Sequence, residues 1–97
     1  MTSNNAELIG LKNLGMASVN ILHAVGINNL DDLRAAGAVD VYCRIKARGI
    51  QVSKVMLYAL EGALLDVHWN DLPADVKAQL VEKAEQASEN LAQAAAV

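Results

Sequence analysis

The chain has 97 residues, 54% of them hydrophobic, and a formal net charge of −3 at pH 7. This length suffices for one small core, and no apolar run approaches the roughly 20 residues that span a bilayer. The lone cysteine excludes an internal disulfide and a cysteine-rich metal cluster, and residues 1–10 lack the pattern of a signal peptide. We therefore expect a soluble, cytoplasmic protein without metal or cofactor.

The composition predicts an all-α fold. Ala and Leu dominate the apolar residues, Val and Ile seldom alternate with polar residues, and Phe is absent. We expect a bundle of five to six helices with a start of the helix-hairpin-helix or SAM-like type. It would form one domain over residues 1–97, with its core at about 6–82 and a C-terminal helix reaching about residue 94.

The first third of the chain has the layout of a helix-hairpin-helix element. A short helix is expected around residues 5–9, then a turn at residues 13–15 and a helix over 16–25 that stops at Gly26. Such an element presents turn amides at a helix N-terminus, where partial positive charge favours a phosphate.

The turn of this hairpin is the first candidate contact site. Gly15 can take a positive φ, which Asn13 also tolerates, and the hydroxyl of Ser18 can satisfy a free backbone amide. We interpret the turn as a contact for DNA phosphate or for a protein partner, while the alternative is that it only joins two packed helices. The residues concerned are Lys12, Asn13, Gly15, Met16, Ala17 and Ser18.

Capping residues divide the middle of the chain into three helices. Asn28 or Asn29 caps a short helix, a helix over residues 38–48 follows it, and Ser53 caps a third helix over residues 54–67. The third helix is apolar almost all round, which predicts that it is buried on most sides as the central post of the bundle.

Two features of the later helices predict close packing. Gly62 inside the third helix costs about 1 kcal/mol relative to Ala, so we expect a neighbouring helix to approach it closely.

Pro73 opens the last helix, with Asn70 or Asp71 as its cap. This helix is long, and its narrow apolar stripe predicts a homodimer through the C-terminal helix. The stripe comprises Val76, Leu80, Ala84, Ala87 and Leu91.

A second candidate site is a small basic patch. Residues 41–54 contain four bases and no acid, and Arg44 and Arg48 share a helical face because they are four residues apart. The patch would contact DNA or an acidic partner. The alternative is a solvated helix face, with cations near a helix C-terminus where the dipole favours them.

The remaining chemistry-bearing residues favour structural roles. His68 has only the distant His23 as a second histidine, which is too few for a metal site. Trp69 is expected to close the end of the central helix with its indole nitrogen bonded to a backbone oxygen, and Cys43 to be a small half-buried residue. No nucleotide loop, HExxH pair or serine elbow is present, so we do not expect an enzyme.

Three blocks of the sequence occur in an order that resembles one known family. They read LKNLGMAS at residues 11–18, AVGINNLDDLRAAGAVDVYCRIKARG at 24–49 and LYALEGALLDVHWNDLP at 57–73. Together they resemble the C-terminal domain of the TfoX/Sxy family of competence regulators. The resemblance implies a small helical domain linked to natural transformation genes, acting with a cyclic-AMP receptor transcription factor.

The chain departs from the family pattern in two ways. Two-domain members carry an N-terminal domain, for which we expect no room here, so the chain would act as a stand-alone domain. DNA-binding hairpins usually read Gly-hydrophobic-Gly before Pro-Lys, whereas here Asn13 replaces the first glycine and Met16-Ala17 replaces Pro-Lys. The expected partners remain DNA backbone, a transcription-regulator protein or a second copy of the chain, without a membrane.

Overall fold

The computed structural model describes residues 8–96, with the side chains of residues 8–89. This part of the chain contains five α-helices, one 3-10 turn and no strand, which confirms the predicted all-α class. The helices are α1 (Met16–Ala24), α2 (Leu30–Ala36), α3 (Ala38–Ala47), α4 (Lys54–Leu65) and α5 (Ala74–Ala96), and the 3-10 turn is Trp69–Asp71.

Local capping sets most of these boundaries. The side chain of Asn29 accepts a hydrogen bond from the backbone N–H of Asp32 at 2.8 Å, and Asp32 in turn accepts from the N–H of Asn28. Ser53 caps α4 by accepting from the N–H of Val55 at 3.3 Å. Both caps were predicted, because a side-chain oxygen next to a helix start satisfies an otherwise free amide.

The last two helices differ from the prediction at their ends. α4 ends at Leu65 rather than at residue 67, because Asp66 adopts a left-handed conformation with φ of 59°. The last helix begins at Ala74, directly after Pro73, so Asn70 and Asp71 belong to the preceding 3-10 turn and do not cap it. The predicted short helix at residues 5–9 lies mostly outside the described residues, and the helix-hairpin-helix start therefore stays a prediction.

The core is aliphatic, and α3 and α4 lie at its centre. α3 packs against α1, α2, α4 and α5, while α4 also packs against α2, α5 and the 3-10 turn. The buried side chains include Leu22, Leu33, Val41, Ile45, Leu57, Leu60 and Leu80. α4 is less enclosed than its apolar sequence predicted, because Val55 is 41% and Leu65 is 55% exposed.

Gly62 in α4 has a specific structural reason. A Cβ added there would lie 2.5 Å from the side-chain nitrogen of Asn13 and 2.7 Å from the carbonyl oxygen of Val67. The prediction of close packing is confirmed, but the neighbour is the N-terminal turn and the exit of α4 itself, not another helix.

We expect Gly62→Ala to lower the free energy of unfolding by about 1–3 kcal/mol despite the better helix propensity of Ala, because the added methyl meets a backbone carbonyl. Chemical denaturation measures this change. In a chain that also carries Asn13→Gly the cost should be smaller, since one of the two clashing atoms is gone. Gly15→Ala is the control, because no atom lies within 4 Å of its added Cβ. Equal destabilisation at both glycines would contradict this explanation.

Candidate functional site

The predicted hairpin turn is held by the side chain of Asn13. Its amide nitrogen donates to the carbonyl oxygens of Val67 at 3.0 Å and Ala59 at 3.4 Å, and its oxygen accepts from the backbone N–H of Trp69 at 3.0 Å. Asn13 also takes the positive φ of the turn, 72°. The amide therefore links the turn to α4 and to the segment that follows this helix.

Gly15 plays a different part from the one predicted. Its φ is −99°, so the left-handed position of the turn is Asn13 and not the glycine. Gly15 is the N-cap of α1 and has no side chain to accept from the helix amides. Its carbonyl accepts the N–H of Val19 at 3.0 Å, as in any first helical turn.

The N-terminus of α1 is consequently open. The N–H groups of Met16, Ala17 and Ser18 are those that a helix leaves without an internal partner. No side chain caps them, which differs from the expected role of the Ser18 hydroxyl, and no acidic residue lies in the first turn. Gly15, Met16 and Ala17 are exposed. This end of α1 thus offers backbone donors and the positive end of a helix dipole to the surface.

A shallow groove joins this turn to the N-terminus of α4. The groove has a volume of about 260 Å³ and is lined by Asn13, Ser18, Val52, Ser53, Val55, Met56, Ala59 and Trp69. α4 also has no acidic residue in its first turn. Two helix N-termini without acidic side chains therefore border one surface depression.

One residue that lines this groove, Trp69, belongs to an aromatic cluster. The ring of Trp69 stacks on Tyr58 with centroids 6.2 Å apart and on His68 at 6.0 Å. The ammonium group of Lys77 lies 5.3 Å from the Trp69 ring centroid and 5.6 Å from that of Tyr58. Trp69 does lie at the end of α4 as predicted, but stacking holds it, and the expected bond from its indole nitrogen is not among the contacts of the described residues.

The two arginines of the predicted basic patch lie at the other end of α1. Arg48 donates to the carbonyl oxygen of Ala24, the last residue of α1, at 2.9 Å. Arg44 pairs with Asp40 one turn earlier in α3 at 2.8 Å. Because α1 is about 13 Å long, the structure does not bring Arg44 and Arg48 together with the hairpin turn. Lys12 is exposed beside the turn itself.

Side chains that could bind a metal ion do not gather within the described part of the chain. Among residues 8–89, no group of three or more His, Cys, Asp and Glu side chains is placed to hold a metal ion. Cys43 is buried, with its sulfur 3.7 Å from the carbonyl oxygen of Ala84 and 3.9 Å from the hydroxyl of Ser88.

The family relationship is clear from the sequence comparisons. The model of the TfoX C-terminal domain matches residues 4–84, which is most of the chain. The chain belongs to this family. It is also 33% identical over 85 residues to protein Sxy of Escherichia coli strain K12, and this match covers 87% of the chain. The match covers only 41% of protein Sxy, so the chain spans less than half the length of that relative.

Solved structures support the fold of this TfoX C-terminal domain. Crystal structures of a protein of unknown function from Listeria monocytogenes, in triclinic and tetragonal forms, match it with a TM-score of 0.75 and 29% identity. They cover 81% of the chain, and the matches take in 90% and 98% of the respective Listeria chains. None of the helices described over residues 8–96 is long and apolar enough to cross a membrane.

The sequence singled out the residues of the turn as a candidate site, but it did not indicate the groove beside them. Ser53 was predicted to cap α4 and Trp69 to close the end of this helix. The sequence does not indicate that either residue lies beside Ser18. The available signal was that the helices beginning at Met16 and Lys54 both lack acidic residues in their first turns.

We expect Asn13→Ala to destabilise the domain more than Asn13→Gly, although neither variant can form the three side-chain hydrogen bonds. The left-handed backbone costs Ala about 1–2 kcal/mol in addition, whereas Gly adopts it freely. Thermal and denaturant unfolding of the two variants measure the difference. Equal stabilities would mean that the turn relaxes out of its left-handed conformation.

Proposed function

We propose that this TfoX C-terminal domain is a non-enzymatic regulatory module of competence control, which contacts the nucleic-acid backbone through the hairpin turn. The observation that carries the proposal is the open N-terminus of α1, which has no side-chain cap and whose first residues are exposed, as is Lys12 before the turn. A phosphate is the ligand that suits such a site, because it accepts several N–H bonds and is favoured by the helix dipole.

The groove next to the turn strengthens this proposal. A second helix N-terminus, that of α4, borders the same depression. Neither helix places a carboxylate where it would repel a phosphate. The overall charge of −3 opposes broad attraction to nucleic acid, so the proposed contact is local and modest in affinity.

The family relationship supports the regulatory part of the proposal. The resemblance to the TfoX/Sxy family implies a role in competence regulation, and the match to protein Sxy covers most of this chain. A regulatory role of this kind would place the protein in the cytoplasm with the chromosome. The whole activity of protein Sxy need not follow, because the chain covers less than half of its length.

A protein partner is the second candidate for the same surface. Met16, the first residue of α1, is 63% exposed. An exposed methionine suits an adaptable apolar contact better than a phosphate contact. In this case a transcription regulator, rather than DNA, would cover the hairpin turn.

Fluorescence anisotropy with a labelled random duplex, at about 50 and 200 mM salt, tests the phosphate contact. We expect binding that weakens with salt, with a log–log slope of about −0.9 for each phosphate that the protein neutralises. Lys12→Ala should reduce both the affinity and the steepness of this slope. Flat anisotropy at both salt concentrations would contradict the DNA contact and favour the protein partner.

Ala17→Glu separates binding from stability. A carboxylate in the first turn of α1 stabilises the helix by about 0.3–1 kcal/mol, while it repels a phosphate from the same amides. We therefore expect an unchanged or higher unfolding midpoint together with the abolition of duplex binding.

Gln79→Glu is the matched control, since it adds the same charge at an exposed position of α5. It should retain most of the affinity. The double variant Arg44→Ala and Arg48→Ala removes two positive charges near the other end of α1. If this variant still binds the duplex, the contact is assigned to the hairpin turn. Equal weakening in the Ala17 and Gln79 variants would mean that only overall charge matters.

A further inference from the structure

A larger groove lies away from the hairpin, between α3, α4 and α5. Its volume is about 520 Å³. The residues that line it are Tyr42, Lys46, Lys54, Leu57, Val81, Ala84, Glu85, Ser88 and Glu89.

The groove has an apolar floor between walls of opposite charge. Leu57 and Ala84 close the floor and are almost completely buried. Lys46 of α3 and Lys54 of α4 supply positive charge, and Glu85 and Glu89 of α5 supply negative charge.

These four charged side chains are not paired with one another. The two salt bridges within the described part of the chain are Arg34–Asp31 and Arg44–Asp40, neither of which lies at the groove. The ammonium group of Lys46 instead lies 5.4 Å from the ring centroid of Tyr42. The walls thus keep charge of both signs available to an occupant.

The α5 wall of the groove is one continuous helical stripe. Its residues are Val81, Ala84, Glu85, Ser88 and Glu89, a spacing that places them on one side of a helix. This stripe shares only Ala84 with the one predicted to form a dimer, and both Leu80 and Ala84 of the predicted stripe are buried within the chain itself. The surface of α5 that we expect a partner to contact is therefore the one that faces the groove, and not the predicted apolar stripe.

We propose that the occupant is a second copy of this chain, related by a two-fold axis, with α5 of each copy packed along the groove of the other. A two-fold interface uses the same patch on both subunits, so that patch must be complementary to itself. Glu85 and Glu89 of one copy would meet Lys46 and Lys54 of the other, twice per dimer. This proposal does not depend on the phosphate contact.

The charge pattern favours a second copy over a partner of a single charge sign. A basic or acidic peptide would be attracted to one wall and repelled by the other, whereas a two-fold copy matches both. α5 also has the length for such packing, because its 23 residues extend about 35 Å.

Sedimentation equilibrium of the full chain tests the proposal with charge reversals. We expect the unaltered chain to dimerise. The pair Lys46→Glu and Lys54→Glu should raise the dissociation constant more than about tenfold, since like charges then face each other. The pair Glu85→Lys and Glu89→Lys should do the same. An equimolar mixture of the two variants should dimerise again, because both halves of that interface are complementary.

Matched variants keep the test decisive. Glu82→Lys with Lys83→Glu changes exposed residues of α5 outside the groove and preserves net charge, so dimerisation should be unaffected. Lys46→Gln with Lys54→Gln provides a milder change that should weaken the dimer without reversing charge, should a reversal variant fail to fold. Circular dichroism establishes that each variant is helical.

Three results would overturn the proposal. The first is an unaltered chain that stays monomeric at high micromolar concentration. The second is a dimer that survives both charge reversals, which would move the interface to another surface. The third is a mixture of two folded reversal variants that stays monomeric.

Discussion

The side-chain amide of Asn13 is the contact on which the N-terminal part of the structure depends. It binds the carbonyl oxygen of Ala59 within α4 and, after this helix, the carbonyl oxygen of Val67 and the N–H group of Trp69, and its own backbone makes the left-handed turn. The space for this amide exists only because residue 62 is a glycine. Asn13 and Gly62 thus act as one unit that sets where α1 begins, and the open amides at its N-terminus are positioned by that unit.

Several cations of the chain are engaged in contacts within the protein. Arg48 completes the C-terminal end of α1, Arg44 pairs with Asp40, and Lys77 lies against the rings of Trp69 and Tyr58. The number of basic residues in a sequence segment is therefore larger than the number of positive charges that are available to a ligand. Backbone amides are not neutralised in this way, and for this reason the hairpin turn is a better candidate for an anion than the arginines of α3.

Local features of the sequence were sufficient for most of the fold. The caps at Asn29 and Ser53 and the starts of α1, α3 and α4 depend on neighbouring residues, and the structure agrees with them. Apart from the end of α4 at Asp66 and the start of α5, the errors arose where distant segments meet. Neither the role of Asn13 nor the groove beside Ser18 follows from periodicity, because each joins residues dozens of positions apart. The exposure of Leu65 has the same origin, since apolar composition does not reveal which face lacks a neighbour.

The hydrogen bonds of Asn13 also bear on how the chain folds. They span 46, 54 and 56 residues, whereas the helix caps span two to four. Closing such long loops costs entropy before the contacts offset it, so we expect the turn to lock only after α3 and α4 have packed. We therefore expect the N-terminal turn to open before the rest of the domain unfolds under native conditions. Hydrogen exchange at the backbone N–H of Trp69, which donates to the side chain of Asn13, would then report this local opening rather than global unfolding.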